Sequence, residues 1–185
     1  MPIREQAVER AKKIKCVILD VDGVLTDGMI YAAQDGSELC KPFFVRDGLI
    51  ISLARRAGLA TAIITGRSSG IVANRAKELH VDLVYQGSLD KRAAYADIKK
   101  QTGLTDGEIA YVGDDIVDLP ILREVGLPCA VGDAVPEVRE AAQIIASAPG
   151  GRGAVREIYE IILKTQGLWD QILTAFQTDT DGIAQ

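Results

Sequence analysis

Short runs of branched apolar residues alternate along the chain with longer segments in which apolar residues recur at helical spacing. The apolar runs predict β-strands at residues 16–19, 59–64, 83–85, 109–112, 129–131 and 144–146. The segments between them predict α-helices at residues 48–56, 69–79, 91–101, 120–125 and 135–142. Strands that read as continuous apolar runs and alternate with helices are typical of a parallel sheet covered on both faces. The pattern therefore predicts an α/β fold with a doubly wound, Rossmann-like parallel sheet.

Residues 28–45 break this alternation. Two β-rich halves flank the sequence QDGS, and an Asp-Gly pair between such halves is a strong signal for a β-hairpin. The segment directly follows the acidic end of the first strand, so we expect the hairpin to form a flap over that edge of the sheet. Its apolar sequence PFF would be exposed on a monomer, which indicates packing against neighbouring subunits.

The C-terminal part of the chain has a helical pattern of its own. Residues 153–176 predict two amphipathic helices, and one face of the first carries Val155, Ile158, Ile161 and Ile162. The last residues, 177–185, are polar, and we expect them to be a disordered tail. Residues 1–176 are therefore interpreted as a single domain, and 28–45 as its flap.

Composition excludes several classes of protein. The apolar fraction of 48% is that of a globular protein, and the net charge of −5 argues against a nucleic-acid-binding surface. No apolar run approaches the roughly 20 residues that span a membrane, and the charged N-terminal sequence does not resemble a signal peptide. We therefore expect a cytoplasmic protein that binds neither nucleic acid nor membrane. The three cysteines are scattered, which favours reduced thiols, and a single histidine leaves little scope for Ser–His–Asp catalysis.

Polar residues follow the carboxyl ends of several predicted strands. In an open α/β sheet, ligands bind at these ends. The first strand is followed by Asp20 and Asp22, and the second by Thr65, Gly66 and Arg67. Lys91 opens a later helix, and the strand at 109–112 is followed by Asp114, Asp115 and Asp118. These residues are expected to converge on one edge of the sheet.

A carboxylate cluster of this kind needs a cation, because closely packed carboxylates repel one another. Oxygen ligands without sulfur or imidazole suit Mg²⁺, which is commonly bound together with a substrate phosphate. Residues two apart in extended backbone project to the same side, so one carboxylate of Asp20-Val21-Asp22 can attack phosphorus while the other reaches the leaving oxygen. With Lys91 and Thr65 nearby, the pattern favours phosphoryl transfer through an aspartyl phosphate.

Other kinds of site fit less well. The segment 20–28 lacks the oxygen ligand and the glycine that a calcium loop needs, and no dinucleotide-binding glycine pattern follows the first strand. A receiver-like phosphoacceptor domain also combines acids, Thr, Lys and Mg²⁺ on a doubly wound sheet. In that class the acidic pair follows the first strand and the phosphoacceptor a middle strand, whereas here the D-x-D sequence comes first.

The sequence resembles the haloacid dehalogenase-like phosphotransferase superfamily in four motifs: DVDGVLT, the Thr of IITG, Lys91 and GDDIVD. The resemblance implies that Asp20 is the nucleophile and Asp22 the general acid/base. It also implies an Mg²⁺ site formed by Asp20, the backbone carbonyl of Asp22 and Asp114. The phosphoryl group would be bound by Thr65, the Gly66 amide and Lys91, with Asp115 and Asp118 in support.

The lack of a cap domain and several further motifs indicate which subgroup of the superfamily the sequence resembles. Many relatives insert a cap domain after the first or second motif, whereas this chain has only the hairpin there. It is similar to the capless, tetrameric phosphatases that act on 3-deoxy-D-manno-octulosonate 8-phosphate (KDO 8-phosphate) in lipopolysaccharide synthesis, with VRDG, AIITGR, NRAKEL, YQG and GGRGAVRE in common. That family forms its substrate pocket across subunits, which implies a homotetramer and the substrate-binding residues Val45, Arg46, Asp47, Gly48, Arg67 and Arg75.

Two departures from the family pattern fall on the hairpin. The sequence ELCKPFFVRDG has one residue more than is usual, and Phe44 stands where a polar residue is common. Related phosphatases act on the 9-phosphates of nine-carbon sugar acids with the same motifs. A sugar acid phosphate is therefore the expected substrate, with KDO 8-phosphate preferred and a nine-carbon 9-phosphate (of KDN or N-acetylneuraminate) as the alternative.

Overall fold

Six parallel strands form the central sheet in the order β5-β4-β1-β6-β7-β8. The computed structural model describes the backbone of residues 5–178 and the side chains of residues 6–176. The strands of the central sheet are β1 (Cys16–Leu19), β4 (Ala60–Ile64), β5 (Leu83–Tyr85), β6 (Ile109–Gly113), β7 (Leu127–Ala130) and β8 (Ile144–Ile145). The doubly wound parallel sheet predicted from the apolar runs is therefore confirmed.

The helices pack in two groups against this sheet. They are α1 (Glu5–Ala11), α2 (Val45–Arg56), α3 (Gly70–Glu78), α4 (Lys91–Thr102), α5 (Leu119–Leu122), α6 (Pro136–Ala141), α7 (Ala154–Thr165) and α8 (Trp169–Thr178). Helix α7 contacts α1, α2 and α8, whereas α4, α5 and α6 contact one another in sequence. Short 3₁₀ turns precede β6 and α5, at Asp106–Glu108 and Ile116–Asp118.

Strand β1 lies between β4 and β6, so the strand order reverses beside it. All four of its residues are buried, as expected for a central strand covered on both faces. In an open α/β sheet, the crevice at the carboxyl ends of the strands on either side of such a reversal is the usual ligand site. The fold therefore directs attention to the residues that directly follow β1, β4 and β6.

Most differences from the sequence-based elements are shifts at their ends. Helix α2 begins three residues earlier than predicted, and β7 begins at Leu127 and includes Pro128. Helix α5 is shorter than predicted and ends at Leu122. Helix α1 was not predicted, because its buried face consists of the small residues Ala7 and Ala11 between charged positions. Such a face gives little hydrophobic periodicity.

The predicted hairpin is present as an antiparallel pair of strands, β2 (Tyr31–Ala32) and β3 (Glu38–Cys40). Tyr31 pairs with Cys40 and Ala32 pairs with Glu38, which leaves Leu39 as an extra residue in a β-bulge.

The apolar surface of the flap differs from the one expected. Phe43 packs against the core, whereas Met29, Ile30, Leu39 and Val45 are 62–77% exposed. The expectation that PFF forms the exposed apolar edge is therefore wrong for Phe43, because the chain turns inward after β3.

The C-terminal helices are α7 and α8, as predicted. Val155, Ile158 and Ile162 of α7 are fully buried, and Ile161 is half-buried at the edge of the same core. Of the expected tail, residues 177 and 178 end α8, and residues 179–185 lie outside the described residues. Within 5–178, no helix combines the length and apolar character needed to cross a membrane.

Candidate active site

Residues that follow β1, β4 and β6 line one cavity of about 310 Å³ at the carboxyl edge of the sheet. Eight of the predicted site residues line it: Asp20, Asp22, Thr65, Gly66, Arg67, Lys91, Asp114 and Asp115. Gly28, Ser88, Leu89 and Val117 complete the lining and were not predicted. A larger cavity of about 520 Å³ lies at the opposite edge of the sheet, where Lys12, Lys13 and Lys15 contribute only exposed amines. The chemistry of the lining therefore marks the smaller cavity as the site.

Lys91 is positioned by its place in helix α4. Asp90 caps this helix by accepting a hydrogen bond from the Arg92 amide at 3.1 Å, so Lys91 is the first helical residue. Its side chain is 3% exposed and its ammonium lies 3.0 Å from Asp20 and 2.6 Å from Asp118. Burial alone would lower the pKa of Lys91, but the two carboxylates outweigh it and raise that pKa. Lys91 is therefore a fixed positive charge beside Asp20.

Asp118 holds the loop after β6 in place. It is fully buried, and its Oδ1 accepts hydrogen bonds from Lys91 and, at 2.6 Å, from the Tyr111 hydroxyl. Its Oδ2 accepts from the Asp114 amide at 2.9 Å and the Asp115 amide at 3.4 Å. Both oxygens are thus occupied, so Asp118 orients Lys91 and Asp114. Tyr111 is a contributor that the sequence did not reveal, because it reads as an ordinary residue of a buried strand.

The remaining carboxyls of the cluster are electrostatically strained without a cation. Burial raises the pKa of Asp20 to about 6, with the negative charge of Asp118 adding to the effect and Lys91 opposing it. Burial and the negative charges of Asp20 and Asp118 raise the pKa of Asp114 to about 7. A divalent cation at this point would favour the ionised forms of both groups.

The donor set fits Mg²⁺. Asp20, Asp114 and Asp118 each offer a carboxylate oxygen, and these oxygens lie within 4.8 Å of one another. Because Asp118 already satisfies both of its oxygens, Asp20 and Asp114 are the carboxylates best placed to ligate the ion. Oxygen ligands without imidazole or thiolate are those that Mg²⁺ prefers. The residues present therefore support the predicted magnesium site.

The flap contributes a residue to this site that sequence reasoning missed. The Lys41 ammonium donates a hydrogen bond to Asp22 Oδ1, and the side chain of Lys41 is 5% exposed. Lys41 lies in none of the four sequence motifs, and its contact depends on how the flap folds back over β1. No pattern along the chain could have indicated it.

The expected phosphoryl-binding residues lie beside the acids. Thr65 directly follows β4 and is 2% exposed, and Gly66 follows it at the wall of the cavity. Arg67 is exposed at the rim of the same cavity. Thr65, Gly66 and Lys91 thus surround the space in front of Asp20.

The other expected substrate residues do not line this cavity within one chain. Val45 and Arg46 are exposed in the first turn of α2, and the Arg46 guanidinium lies 5.8 Å from the centre of the Phe44 ring. The Arg75 guanidinium lies 5.8 Å from the centre of the Phe43 ring and packs against Gly48, where a Cβ would overlap with it. These residues form a second cluster around the base of the flap.

Asp47 has a structural environment. It is 1% exposed, and its carboxylate accepts hydrogen bonds from the Gly153 amide at 3.2 Å and the Arg156 amide at 2.8 Å. Burial raises the pKa of Asp47, and these two amides oppose the rise. Each oxygen of Asp47 thus accepts one of these hydrogen bonds, and Asp47 joins the start of α2 to the N-terminus of α7.

Comparisons with known proteins show the family of the chain. Residues 71–158 match the haloacid dehalogenase-like hydrolase family. The chain is 41% identical over 170 residues to the 3-deoxy-D-manno-octulosonate 8-phosphate phosphatase KdsC of Escherichia coli K12. The matched region covers 92% of this chain and 90% of the relative.

Solved structures show the same likeness. The crystal structure of a 3-deoxy-D-manno-octulosonate 8-phosphate phosphatase from Moraxella catarrhalis, in complex with magnesium, phosphate and KDO, is 40% identical, with a TM-score of 0.90 over 94% of this chain and 99% of that one. A putative subfamily III A hydrolase from Legionella pneumophila is 45% identical, with a TM-score of 0.89 over 94% and 95%. The chain therefore belongs to the haloacid dehalogenase-like hydrolase family, in the group that contains the KDO 8-phosphate phosphatases.

Proposed function

We propose that the protein hydrolyses KDO 8-phosphate to KDO and inorganic phosphate, with Mg²⁺ as its cofactor. The observation that carries this proposal is the convergence of Asp20, Asp22, Lys91 and Asp114 on one cavity. The chain that carries this cavity is 40% identical to an enzyme whose crystal structure contains magnesium, phosphate and KDO. A carboxylate pair, a buried ammonium and a magnesium site are together the requirements of phosphoryl transfer to a carboxylate.

Asp20 acts as the nucleophile in this proposal. Its carboxylate attacks phosphorus, so that a bond forms between Asp20 and phosphorus while the bond from phosphorus to the sugar oxygen breaks. Asp22 gives its proton to that sugar oxygen. A water molecule then attacks the phosphorus of the aspartyl phosphate and passes a proton to Asp22. The bond between Asp20 and phosphorus breaks, inorganic phosphate leaves, and both carboxyl groups return to their starting state.

The surrounding residues bind the phosphoryl group. Thr65 and the Gly66 amide supply hydrogen-bond donors, and Lys91 supplies a positive charge 3.0 Å from Asp20. Magnesium held by Asp20 and Asp114 would add a second positive charge that favours approach of the anionic phosphate to the anionic nucleophile. Asp115 lines the cavity beside Asp114 and supports this arrangement.

The choice of substrate is proposed to depend on a homotetramer. Within one chain the flap exposes Met29, Ile30 and Leu39, and an apolar surface of this kind favours burial against another copy. Arg46, Arg67 and Arg75 are suited to a sugar acid, because a guanidinium can hold a carboxylate with two hydrogen bonds. A pocket shared between a cavity and a neighbouring flap would bring such arginines to the sugar. A cytoplasmic location stays a prediction from the sequence.

The test is a phosphate-release assay over a panel of sugar phosphates, with and without Mg²⁺. We expect the highest kcat/KM for KDO 8-phosphate. A higher kcat/KM for a nine-carbon sugar acid 9-phosphate would assign the alternative substrate. A stable phosphorylated protein that releases no phosphate would instead identify a phosphoacceptor domain.

A further inference from the structure

A chain of polar contacts ties the flap to the cavity. The Lys41 ammonium donates a hydrogen bond to Asp22 Oδ1 and lies 3.4 Å from Glu38 Oε1. The other oxygen of Glu38 accepts a hydrogen bond from the hydroxyl of Ser69, the N-cap residue of α3. The Ser69 amide in turn donates to Gln86 at 2.7 Å. Asp22 is thus connected, through two flap residues, to the loop that follows β4.

The β-bulge makes this connection possible. Side chains three residues apart in a regular strand point to opposite faces, so Glu38 and Lys41 would be separated. The extra residue Leu39 shifts the alternation by one position, and Glu38 and Lys41 come to lie on the same side. Leu39 itself is turned outward and is 67% exposed.

The burial of Lys41 makes its partners obligatory. Its side chain is only 5% exposed, whereas those of Asp22 and Glu38 are 26% and 24% exposed. A buried ammonium without a partner is strongly unfavourable, so Lys41 must keep a carboxylate beside it. The Lys41 ammonium lies 3.4 Å from Glu38 Oε1 and is closer to Asp22 Oδ1, so Asp22 is its principal partner.

We propose that Lys41 is a positioning residue, which Glu38 holds in place and which fixes the carboxylate of the general acid/base Asp22. The proposal rests on the phosphatase function proposed above. Lys41 contacts one oxygen of Asp22, so the other oxygen is oriented toward the leaving group for proton transfer. The pose of the flap thereby determines whether Asp22 is aligned.

A purely structural role for Lys41 would have a different consequence. A loosened flap would disturb every substrate equally, whereas a misaligned acid matters only where the leaving group needs a proton. The alkoxide of a sugar needs protonation, and p-nitrophenolate leaves without it. The ratio of the two activities therefore separates the roles.

The test compares wild type and Lys41→Met on KDO 8-phosphate and on p-nitrophenyl phosphate. The quantity is kcat/KM, which reports the steps up to formation of the aspartyl phosphate. Lys77→Met is the matched control, because it removes the charge of an exposed lysine on α3. Glu38→Gln is a second variant that keeps Lys41 and removes its support, and it carries the test if Lys41→Met does not fold.

We expect Lys41→Met to lose at least about 10-fold in kcat/KM on the sugar phosphate and less than about 2-fold on the aryl phosphate. Glu38→Gln should show a smaller loss with the same selectivity, and Lys77→Met none. Equal losses on both substrates, or no loss on either, would overturn the proposal.

A double-mutant cycle with Asp22→Asn provides the second readout. If Lys41 acts through Asp22, adding Lys41→Met to Asp22→Asn should change kcat/KM on the sugar phosphate by less than about 2-fold. A loss as large as that in the wild-type background would refute the proposed coupling. If wild type hydrolyses the aryl phosphate but not KDO 8-phosphate, the substrate proposal is wrong, and the same comparison is made with the alkyl phosphate that wild type does hydrolyse.

Discussion

The carboxylate of Asp114 occupies the space that a Cβ on Gly23 would fill. Gly23 has a φ of +88°, a left-handed conformation that side chains with a Cβ disfavour. Gly23 follows Asp22 in the first motif, and Asp114 follows β6, so this contact joins the two loops that carry the magnesium site. The glycine of the motif is therefore required by the position of a metal ligand as well as by the turn.

The substitution Gly23→Ala should consequently weaken magnesium binding. The methyl group overlaps with the Asp114 carboxylate and pushes it away from Asp20. We expect the Mg²⁺ concentration that gives half-maximal activity to rise by roughly 10- to 100-fold, in line with the loss caused by disturbing the support of a metal ligand. Gly36→Ala is the matched control, since Gly36 also has a positive φ, of +81°, but a Cβ added there would meet no other atom within 4 Å. An unchanged magnesium dependence in Gly23→Ala would contradict this account of the site.

The raised pKa values of Asp20 and Asp114 predict how the stability of the metal-free protein changes with pH. Burial raises these pKa values from 3.8 to about 6 and about 7, so the folded state binds more protons than the unfolded chain between these limits. The stability that Asp20 and Asp114 contribute is therefore fully present below their unfolded pKa of 3.8. It is lost as the pH rises through their folded pKa values of about 6 and about 7.

Asp114→Asn tests this pH dependence, because asparagine resembles the protonated carboxyl. In EDTA, the Tm of the variant should exceed that of wild type by a larger margin at about pH 8 than at about pH 5. Added Mg²⁺ should raise the Tm of wild type more than that of the variant at the higher pH. A variant that is less stable than wild type at both pH values would show that Asp114 is not strained without metal.

Asp47 is predicted to stabilise the folded state, because it accepts hydrogen bonds from two amides at the start of α7. Asp47→Ala would leave the half-buried Gly153 and Arg156 amides without their acceptor, which costs roughly 1–3 kcal/mol in the free energy of unfolding. Asp47→Asn keeps one acceptor oxygen and should lose less. Urea denaturation measures both variants. A large rise in KM for the sugar phosphate with unchanged stability would instead identify Asp47 as a direct substrate ligand.

The exposed apolar residues of the flap predict an assembly that can be dissociated. A variant that combines Ile30→Lys and Leu39→Lys places two charges on residues that are 64% and 67% exposed, so the single chain should still fold. We expect a monomer by light scattering, with at least about 10-fold lower kcat/KM on KDO 8-phosphate and retained hydrolysis of p-nitrophenyl phosphate.

Leu173→Lys on α8 is the control for this experiment, since Leu173 is 44% exposed and belongs to the C-terminal helix and not to the flap. A variant that stays tetrameric, or a monomer with full activity on the sugar phosphate, would refute the shared pocket.

Much of the fold followed from local patterns. Strands β1 and β5 were predicted to the residue, because each is a continuous apolar run. All of β1 is buried, whereas β5 lies at the edge of the sheet and Val84 is exposed. Asp20, Thr65 and Asp114 were predicted to lie together because carboxyl ends of parallel strands meet at one edge. These inferences need only the chain direction and the sheet.

Contacts that depend on tertiary detail could not be read from the sequence. Lys41 reaches Asp22 only because of a bulge at Leu39 and an inward turn of the chain after β3. Asp47 accepts hydrogen bonds from residues 106 and 109 positions away, and nothing in VRDG indicates them. The flap thus carried the largest differences between expectation and structure, since its short strands are positioned by contacts with other elements.

Phosphate release by Asp20→Asn tests the central claim most directly. Asparagine matches aspartate in size but cannot attack phosphorus. Asp27→Asn is the control because Asp27 belongs to the same segment and accepts hydrogen bonds from the Met29 amide and the Tyr31 hydroxyl, outside the cavity lining. The account predicts that wild type and Asp27→Asn release phosphate from KDO 8-phosphate with Mg²⁺ and that EDTA abolishes this release. Asp20→Asn should fold with an unchanged or higher Tm in EDTA and lose at least about a thousandfold in kcat. A folded Asp20→Asn protein that releases phosphate at the wild-type rate would contradict the account.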